Sequence, residues 1–158
     1  MPVGAPISTK GIVACHLCRF HEKLYAANYL SGSIFCSDGA LDIHTGHGVH
    51  PMRQEAPHTH FIVPSPDRQF LLATDLGLDS VFVYDEFLNV HSVAHVPAGQ
   101  GVRHLAYADD GMTVFAANEL GSTVSMFTYH DGQLDLRQTT PPLFHEWEKT
   151  LENFPVKV

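Results

Sequence analysis

The feature that most constrains this chain is a motif that occurs three times at nearly equal spacing. Placed on one histidine each, His16, His60 and His104, the copies follow one another at steps of 44 residues. Every copy has an apolar run, a turn with Gly or Ser, and a second β-rich run. The copies read CHLCRFHEKLYAANYLSGSIF, HTHFIVPSPDRQFLLATDLGLDSVFVY and GVRHLAYADDGMTVFAANELGSTVSMF. A repeat of about 40–50 residues with this content is typical of β-propeller blades.

Each repeat predicts four short antiparallel strands, the fourth being weaker and lying at 90–96 and 134–140 in the later copies. Asn28, Asp75 and Asn118 end the second strand of each unit, where capping a turn is a sufficient role. The predicted fold is an all-β partial propeller over residues 1–140, with about three and a half blades. Because propellers close with about four to eight blades, such an arc leaves blade faces open.

Residues 141–158 depart from the repeat and form a predicted tail. The tail is predicted to be a short helix, because four of its apolar residues have helical spacing: Phe144, Trp147, Leu151 and Phe154. The chain is then a fragment of a longer propeller, a truncated variant whose tail covers an open face, or a protein that self-associates to cover the open propeller edge.

The overall charge and hydropathy exclude several classes of partner. A formal charge of −8 argues against a nucleic-acid binder and requires a local cationic site for any anionic substrate. No apolar run approaches the roughly 20 residues that span a bilayer, so no membrane partner is predicted. The start MPVGAPISTKGIVA lacks a basic region followed by an apolar one, so we expect no secretion signal. The three cysteines then indicate reduced thiols in a cytoplasmic protein.

Two short motifs suggest metal or redox chemistry, but other interpretations are favoured. Cys15 and Cys18 have C-x-x-C spacing, yet no second pair exists, so we interpret them as half-buried strand cysteines. His44, His47 and His50 lie three residues apart in a Gly-containing stretch, which predicts a solvated loop more than a metal site. We therefore predict neither a metal nor a cofactor.

Only the third repeat places an Arg and a Glu in matching positions. Arg103 lies eight residues before Gly111 and Glu119 eight residues after it, so a hairpin brings both to one end of adjacent strands. If the first strand of each blade is innermost, His60 joins them at one mouth of the central channel. Such a trio can hold an anion, stabilise an oxyanion and accept a proton from water. An Arg–Glu pair that only fixes blade geometry is the alternative.

Longer stretches of these repeats resemble the β-propeller lactonase family, which includes propeller-type 6-phosphogluconolactonases and, as relatives, carboxymuconate-cyclising enzymes. They read RQEAPHTHFIVPSPDRQFLLATDLGLDSVFVYD at 53–85 and GVRHLAYADDGMTVFAANELGSTVSMFTYHDGQLDLRQT at 101–139. The resemblance covers roughly residues 10–140, and the tail from about Pro141 does not match. It implies a seven-bladed ring of roughly twice this length.

The resemblance also implies a function and a set of site residues. It implies a lactone hydrolase without a cofactor, acting on an anionic sugar-derived lactone, usually 6-phosphogluconolactone of the pentose phosphate pathway. The family's catalytic residues carry over to Glu119, Arg103 and His60. The candidate substrate-binding residues are His58, Arg53, Glu55 and His104, and Gln54 of the same RQEAP stretch is a weaker candidate. A further Arg that the family takes from a later blade has no counterpart here.

Two other functions fit the same residues. A muconate-type lactonising or isomerising enzyme would use the same Arg and Glu, with the carboxylate moving a proton at carbon. An inactive truncated propeller that serves as an interaction module would keep the fold without the chemistry.

Overall fold

A computed structural model describes residues 5–140, which form three separate four-stranded antiparallel sheets. In each sheet the strands follow one another in chain order, as in a propeller blade. The strands are β1 (Ala14–Phe20), β2 (Lys23–Asn28), β3 (Ser33–Cys36), β4 (Leu41–Ile43), β5 (Thr59–Pro64), β6 (Leu71–Asp75), β7 (Ser80–Tyr84), β8 (Val90–His95), β9 (Val102–Tyr107), β10 (Thr113–Asn118), β11 (Thr123–His130) and β12 (Gln133–Thr139).

The all-β propeller prediction is confirmed for the described residues, which contain three complete blades. A further half blade and the predicted tail helix with its stripe at Phe144, Trp147, Leu151 and Phe154 lie outside the described residues. Within residues 5–140 the structure has no helix that is long and apolar enough to cross a membrane.

Apolar side chains hold neighbouring blades together in two cores. Between the first and second blades lie Phe20, Tyr25, Ile34, Ile62, Leu71 and Tyr84, all at most 1% exposed. Between the second and third blades lie Leu72, Val81, Val83, Val102, Val114 and Phe127, which are fully buried. The two cores draw on opposite faces of the middle sheet, since Leu71 and Leu72 are consecutive and strand neighbours point to opposite faces.

The first strands of the blades lie side by side, β1 against β5 and β5 against β9. Each of them contains a β-bulge near its start, opposite the end of the second strand of its own blade. The unpaired residues are Cys15, His60 and Arg103. A bulge adds one residue to a strand and redirects its side chain, so these residues are equivalent between blades.

The bulges correct the alignment on one histidine per repeat. His16 pairs with Ala27 and His104 with Ala117, and the matching position in the second blade is Phe61, which pairs with Thr74. His60 therefore occupies the position of Arg103, not that of His104. The equal spacing of 44 residues was wrong by one position in the second blade, because the connections between the blades differ in length.

A buried polar cluster joins the first two blades. His44 contacts the Asp75 carboxylate through Nδ1 and the Tyr84 hydroxyl through Nε2, both at 2.5 Å. The Tyr84 hydroxyl donates to Asp42 at 2.7 Å. Asp75 also accepts the backbone N–H of Leu78, which confirms its predicted turn-capping role. The prediction of a solvated loop is wrong for His44, whose side chain is 1% exposed.

We expect His44→Ala to lower the free energy of unfolding by about 3 kcal/mol, because it leaves the buried Asp75 carboxylate without its ring partner. Urea denaturation at neutral pH measures the loss. His130→Ala is the matched control, since the His130 side chain is 89% exposed and its acidic partner Asp131 is 83% exposed. A loss no larger than that of the control would show that the buried cluster contributes nothing.

Candidate active site

Residues of the second and third blades meet where the bulges of the first strands lie, a place called the mouth below. Arg103 stands in the bulge of β9, and Glu119 directly follows β10 of the same hairpin. A backbone hydrogen bond of 2.8 Å from Glu119 N to Gly101 O fixes the carboxylate-bearing residue beside β9. His60 stands in the bulge of β5. The predicted convergence of these three residues is therefore what the fold produces.

Glu119 lies between two guanidinium groups. Arg103 contacts one carboxylate oxygen through Nη1, and Arg53 donates from Nη2 to the other at 2.6 Å. Both arginine side chains are 41% exposed and the Glu119 side chain is 24% exposed, so the cluster opens to solvent. Burial alone would raise the pKa of Glu119, but the hydrogen bonds from Arg53 and Arg103 outweigh it and lower that pKa. Glu119 is thus a carboxylate at neutral pH.

His60 lies next to this cluster as a neutral ring. Its ring stands edge-on to His104 at 5.1 Å between centroids. Burial, with the positive charge of Arg103 adding to it, lowers the pKa of His60 to about 4. Among the described residues its buried Nδ1 has no hydrogen-bond partner. Burial likewise lowers the pKa of His104. Both imidazole rings are therefore neutral at pH 7, and the arginines supply the positive charge of the site.

Of the remaining predicted residues, His58 is buried and supports the site, whereas Glu55 and Arg53 are open to solvent at its rim. His58 contacts Glu55 through Nε2 at 3.2 Å, and its Nδ1 faces the backbone oxygen of Tyr29, also at 3.2 Å. The His58 side chain is only 6% exposed, whereas that of Glu55 is 52% exposed. The structure thus brings His58, Glu55 and Arg53 to the site, with His58 as a support under the more open residues.

Tyr29 belongs to this site and was missed by the sequence analysis. Its ring stacks on His58 at 4.6 Å and stands edge-on to His60 at 5.7 Å. Its hydroxyl accepts a long hydrogen bond of 3.4 Å from Arg53. The repeat contained the signal, because Tyr29 follows AAN in the first blade as Glu119 follows AAN in the third. The two residues are structurally equivalent.

Cys15 is the second residue that the sequence analysis did not place at the mouth. As the bulge residue of β1 it is the counterpart of His60 and Arg103. Its Sγ lies 3.3 Å from the backbone oxygen of His60. Burial raises the pKa of its thiol, so Cys15 enters the site as a neutral group. Cys18 lies farther along the same strand, and both are free thiols.

Gln54 anchors the loop that carries Arg53 and does not reach the mouth. Its side chain is fully buried, donates to Leu76 O at 2.9 Å and accepts from His50 N at 3.0 Å. The weaker prediction that Gln54 lines the mouth is therefore wrong. The loop also packs tightly on Gly77, where an added Cβ would lie 1.9 Å from Ala56 O. Arg53 and Glu55, on either side of Gln54, are thereby directed to the site.

Among residues 5–140, no three His, Cys, Asp or Glu side chains are grouped so that they could hold a metal ion. His47 is exposed and His50 is partly buried, whereas His44 is buried.

Comparison with known proteins matches this chain to one family. A family model described as "Lactonase, 7-bladed beta-propeller" matches residues 5–155. The chain belongs to the seven-bladed β-propeller lactonase family. The match continues to residue 155, so the expectation that the resemblance ends near Pro141 is wrong.

Several relatives and solved structures are similar to this lactonase-family chain. An uncharacterised protein of Staphylococcus epidermidis is 32% identical over 129 residues, which are 78% of this chain and 37% of the relative. A Bacteroides fragilis structure assigned as a 6-phosphogluconolactonase has 34% identity and a TM-score of 0.76, covering 84% of this chain and 44% of that one. The periplasmic gluconolactonase PpgL of Pseudomonas aeruginosa has 30% identity and a TM-score of 0.69, covering 81% and 42%. The chain spans less than half the length of these relatives.

We expect the His60 ring to remain neutral down to about pH 5 and to titrate near pH 4, followed by NMR of the ring nitrogens. Arg103→Met should raise the pKa of His60 only part of the way to its usual value, because burial is the larger cause. Because the folded-state pKa lies below the unfolded one, His60 weakens the fold as the pH falls from about 6.5 towards 4. A His60 titration near pH 6.5 in the wild-type protein would contradict this.

Proposed function

We propose that this chain carries the catalytic site of a lactone hydrolase that acts on a sugar-derived lactone, with 6-phosphogluconolactone and its conversion to 6-phosphogluconate as the favoured reaction. The observation that carries the proposal is the Glu119 carboxylate held between Arg53 and Arg103, beside the neutral His60. Membership of the lactonase family and likeness to structures described as 6-phosphogluconolactonase and gluconolactonase support this reaction class.

Arg103 is the residue that would polarise the lactone. In hydrolysis, water attacks the lactone carbonyl carbon and negative charge develops on the carbonyl oxygen. The Arg103 guanidinium is a cation, and the backbone that carries it is held in the sheet, since Thr74 Oγ1 donates to Arg103 O at 2.6 Å. A fixed cation at the mouth lowers the free energy of the oxyanion without having to reorganise.

Glu119 and His60 are the proton acceptors for the attacking water. Glu119 is ionised and His60 is neutral at pH 7, so each is in its accepting form. Their lowered pKa values make both of them weak bases, which suits a lactone, an ester that needs less activation of water than an amide. When the ring oxygen leaves, it takes up the proton, and the product is a hydroxy acid.

The substrate-binding groups would be the open polar residues at the rim. Arg53 and Arg103 place two guanidinium groups at the rim, and guanidinium donors bind a phosphate or carboxylate group, which favours an anionic lactone despite the chain's formal charge of −8. We assign substrate contacts to Arg53, Glu55 and His104. His58 would act through Glu55 and Tyr29, which it supports from below.

A muconate-type lactonising reaction is the second candidate and uses the same groups. It requires a carboxylate that moves a proton at carbon. Glu119 is less suited to this step, because two arginines lower its basicity. The geometry therefore favours hydrolysis, and a panel containing both a sugar lactone and a muconolactone separates the two.

The decisive experiment measures hydrolysis of freshly generated 6-phosphogluconolactone by the 158-residue chain, above the spontaneous rate. We expect Glu119→Gln and Arg103→Met each to lower kcat/KM by roughly 100-fold or more. Arg19→Met is the matched control, because Arg19 also pairs with a glutamate, Glu22, but on the far β1–β2 turn. Equal rates for all variants, or no rate above the background, would contradict the proposal.

A cytoplasmic location stays a proposal. Its support is that Cys15, Cys18 and Cys36 are all free thiols, which persist where glutathione keeps cysteines reduced.

Self-association through the open blade faces is a further proposal. Leu17 and Leu24 of the first blade, and Phe115 and Val124 of the third, are 38–68% exposed on the faces that no described blade covers. If two copies paired through these faces, the apolar side chains would be buried, just as they are between neighbouring blades. We expect light scattering to give a mass above that of the monomer, and Leu17→Lys to return it to the monomer. A monomer at all concentrations would contradict this.

A further inference from the structure

Arg53 and Arg103 hold Glu119 in different ways. Arg103 stands in the bulge of strand β9, contacts Glu119 through Nη1 alone, and has a buried Nε with no hydrogen-bond partner among the described residues. Arg53 stands on the loop of residues 44–58 that joins the first two blades, and only its Nη2 contacts Glu119. The other support of Arg53 is the long 3.4 Å hydrogen bond to the Tyr29 hydroxyl. The sheet therefore fixes the backbone of Arg103, whereas Arg53 stands on a loop at the rim, where rotation of its side chain exchanges its partner.

Arg53 also has donors to spare. Within the described residues its Nε and Nη1 make no hydrogen bond, and its side chain is 41% exposed at the rim. A guanidinium binds a phosphate or carboxylate best through two parallel N–H donors, which is a better arrangement than the single contact to Glu119. An anionic group that arrives at the rim is therefore a strong competitor for Arg53.

The loss of Arg53 changes what Glu119 can do. The charged groups that face Glu119 are Arg53 and Arg103, and the nearby His60 and His104 are neutral rings. Removing one of the two guanidinium groups withdraws a hydrogen bond and a positive charge from the carboxylate. Both changes make Glu119 a stronger base towards water.

We propose that the anionic group of the substrate draws Arg53 away from Glu119, so that Arg53 holds the substrate and the released carboxylate acts on the attacking water. This inference rests on the proposed lactonase function. It means that an anionic lactone turns over faster once bound, and does not merely bind more tightly. A neutral lactone leaves Arg53 on Glu119 and meets a weaker base.

The first test needs no turnover. The pKa of the Glu119 carboxyl is measured by carbon-13 NMR in glutamate-labelled protein, with Glu119→Gln to assign the signal. The probes are glucitol 6-phosphate and uncharged glucitol. We expect the phosphate to raise the pKa of Glu119 by about one pH unit and glucitol to leave it unchanged. In Arg53→Met the pKa should start higher, and the phosphate should add little.

The Met variant also controls for the charge of the phosphate itself, which acts on Glu119 with or without Arg53. An equal rise in the wild-type protein and in Arg53→Met would overturn the inference, and so would failure of the phosphate to bind. Arg53→Lys keeps the charge but not the paired donors. Its phosphate-induced rise in the pKa of Glu119 should lie between those of the wild-type protein and Arg53→Met. Thermal melting of each variant verifies the fold.

The second test is kinetic. For the wild-type chain, we expect kcat for 6-phosphogluconolactone to exceed kcat for gluconolactone by roughly three- to tenfold, tenfold being the upper limit that about one pH unit of basicity allows. In Arg53→Met this ratio should fall towards one, and in Arg19→Met it should persist. A preference that resides only in KM, or a ratio that survives Arg53→Met, would overturn the inference. If neither lactone reacts, the proposed function fails while the NMR test still decides the role of Arg53.

Discussion

The arrangement of the whole molecule depends on the packing of each blade against its neighbour through opposite faces of a twisted sheet. Leu71 and Leu72 show this at the level of two consecutive residues, one in each core. Because every blade is clamped in the same way, the first strands are forced to lie side by side. The channel mouth is thus a product of core packing, and no residue of the site has to create it.

Within that frame, hydrogen bonding defines the site at two levels. Bulges in the first strands direct His60 and Arg103 to the mouth, and the turn after β10 delivers Glu119. The loop between the first two blades is held by the buried Gln54 and delivers Arg53 from the side. The Glu119 carboxylate is therefore contacted by Arg103 from a strand and by Arg53 from a loop. The contact from the loop is the one that can be replaced.

The blades and the convergence of His60, Arg103 and Glu119 could be predicted from the sequence, because both depend on local patterns. Apolar alternation marks strands, and the hairpin count around Gly111 suffices to bring Arg103 to Glu119. The alignment at equal spacing wrongly matched His60 with His104. His60 lies one residue before the true equivalent, Phe61, and a bulge has no signature in a single sequence. The buried state of His44 and Gln54 also escaped notice, because their partners lie on other strands. Tyr29 was visible only by comparing the blades with one another.

The bulged residues have a property that bears on how such proteins change over time. The extra residue of a bulge has no partner on the neighbouring strand. Its side chain can therefore be replaced without changing the register of the two strands. Here those positions hold a thiol, an imidazole and a guanidinium, on otherwise similar hairpins. The mouth is thus lined by structurally equivalent positions that hold different side chains. A substitution at one of these positions changes the side chain at the mouth while the strand pairing on either side of the bulge stays the same.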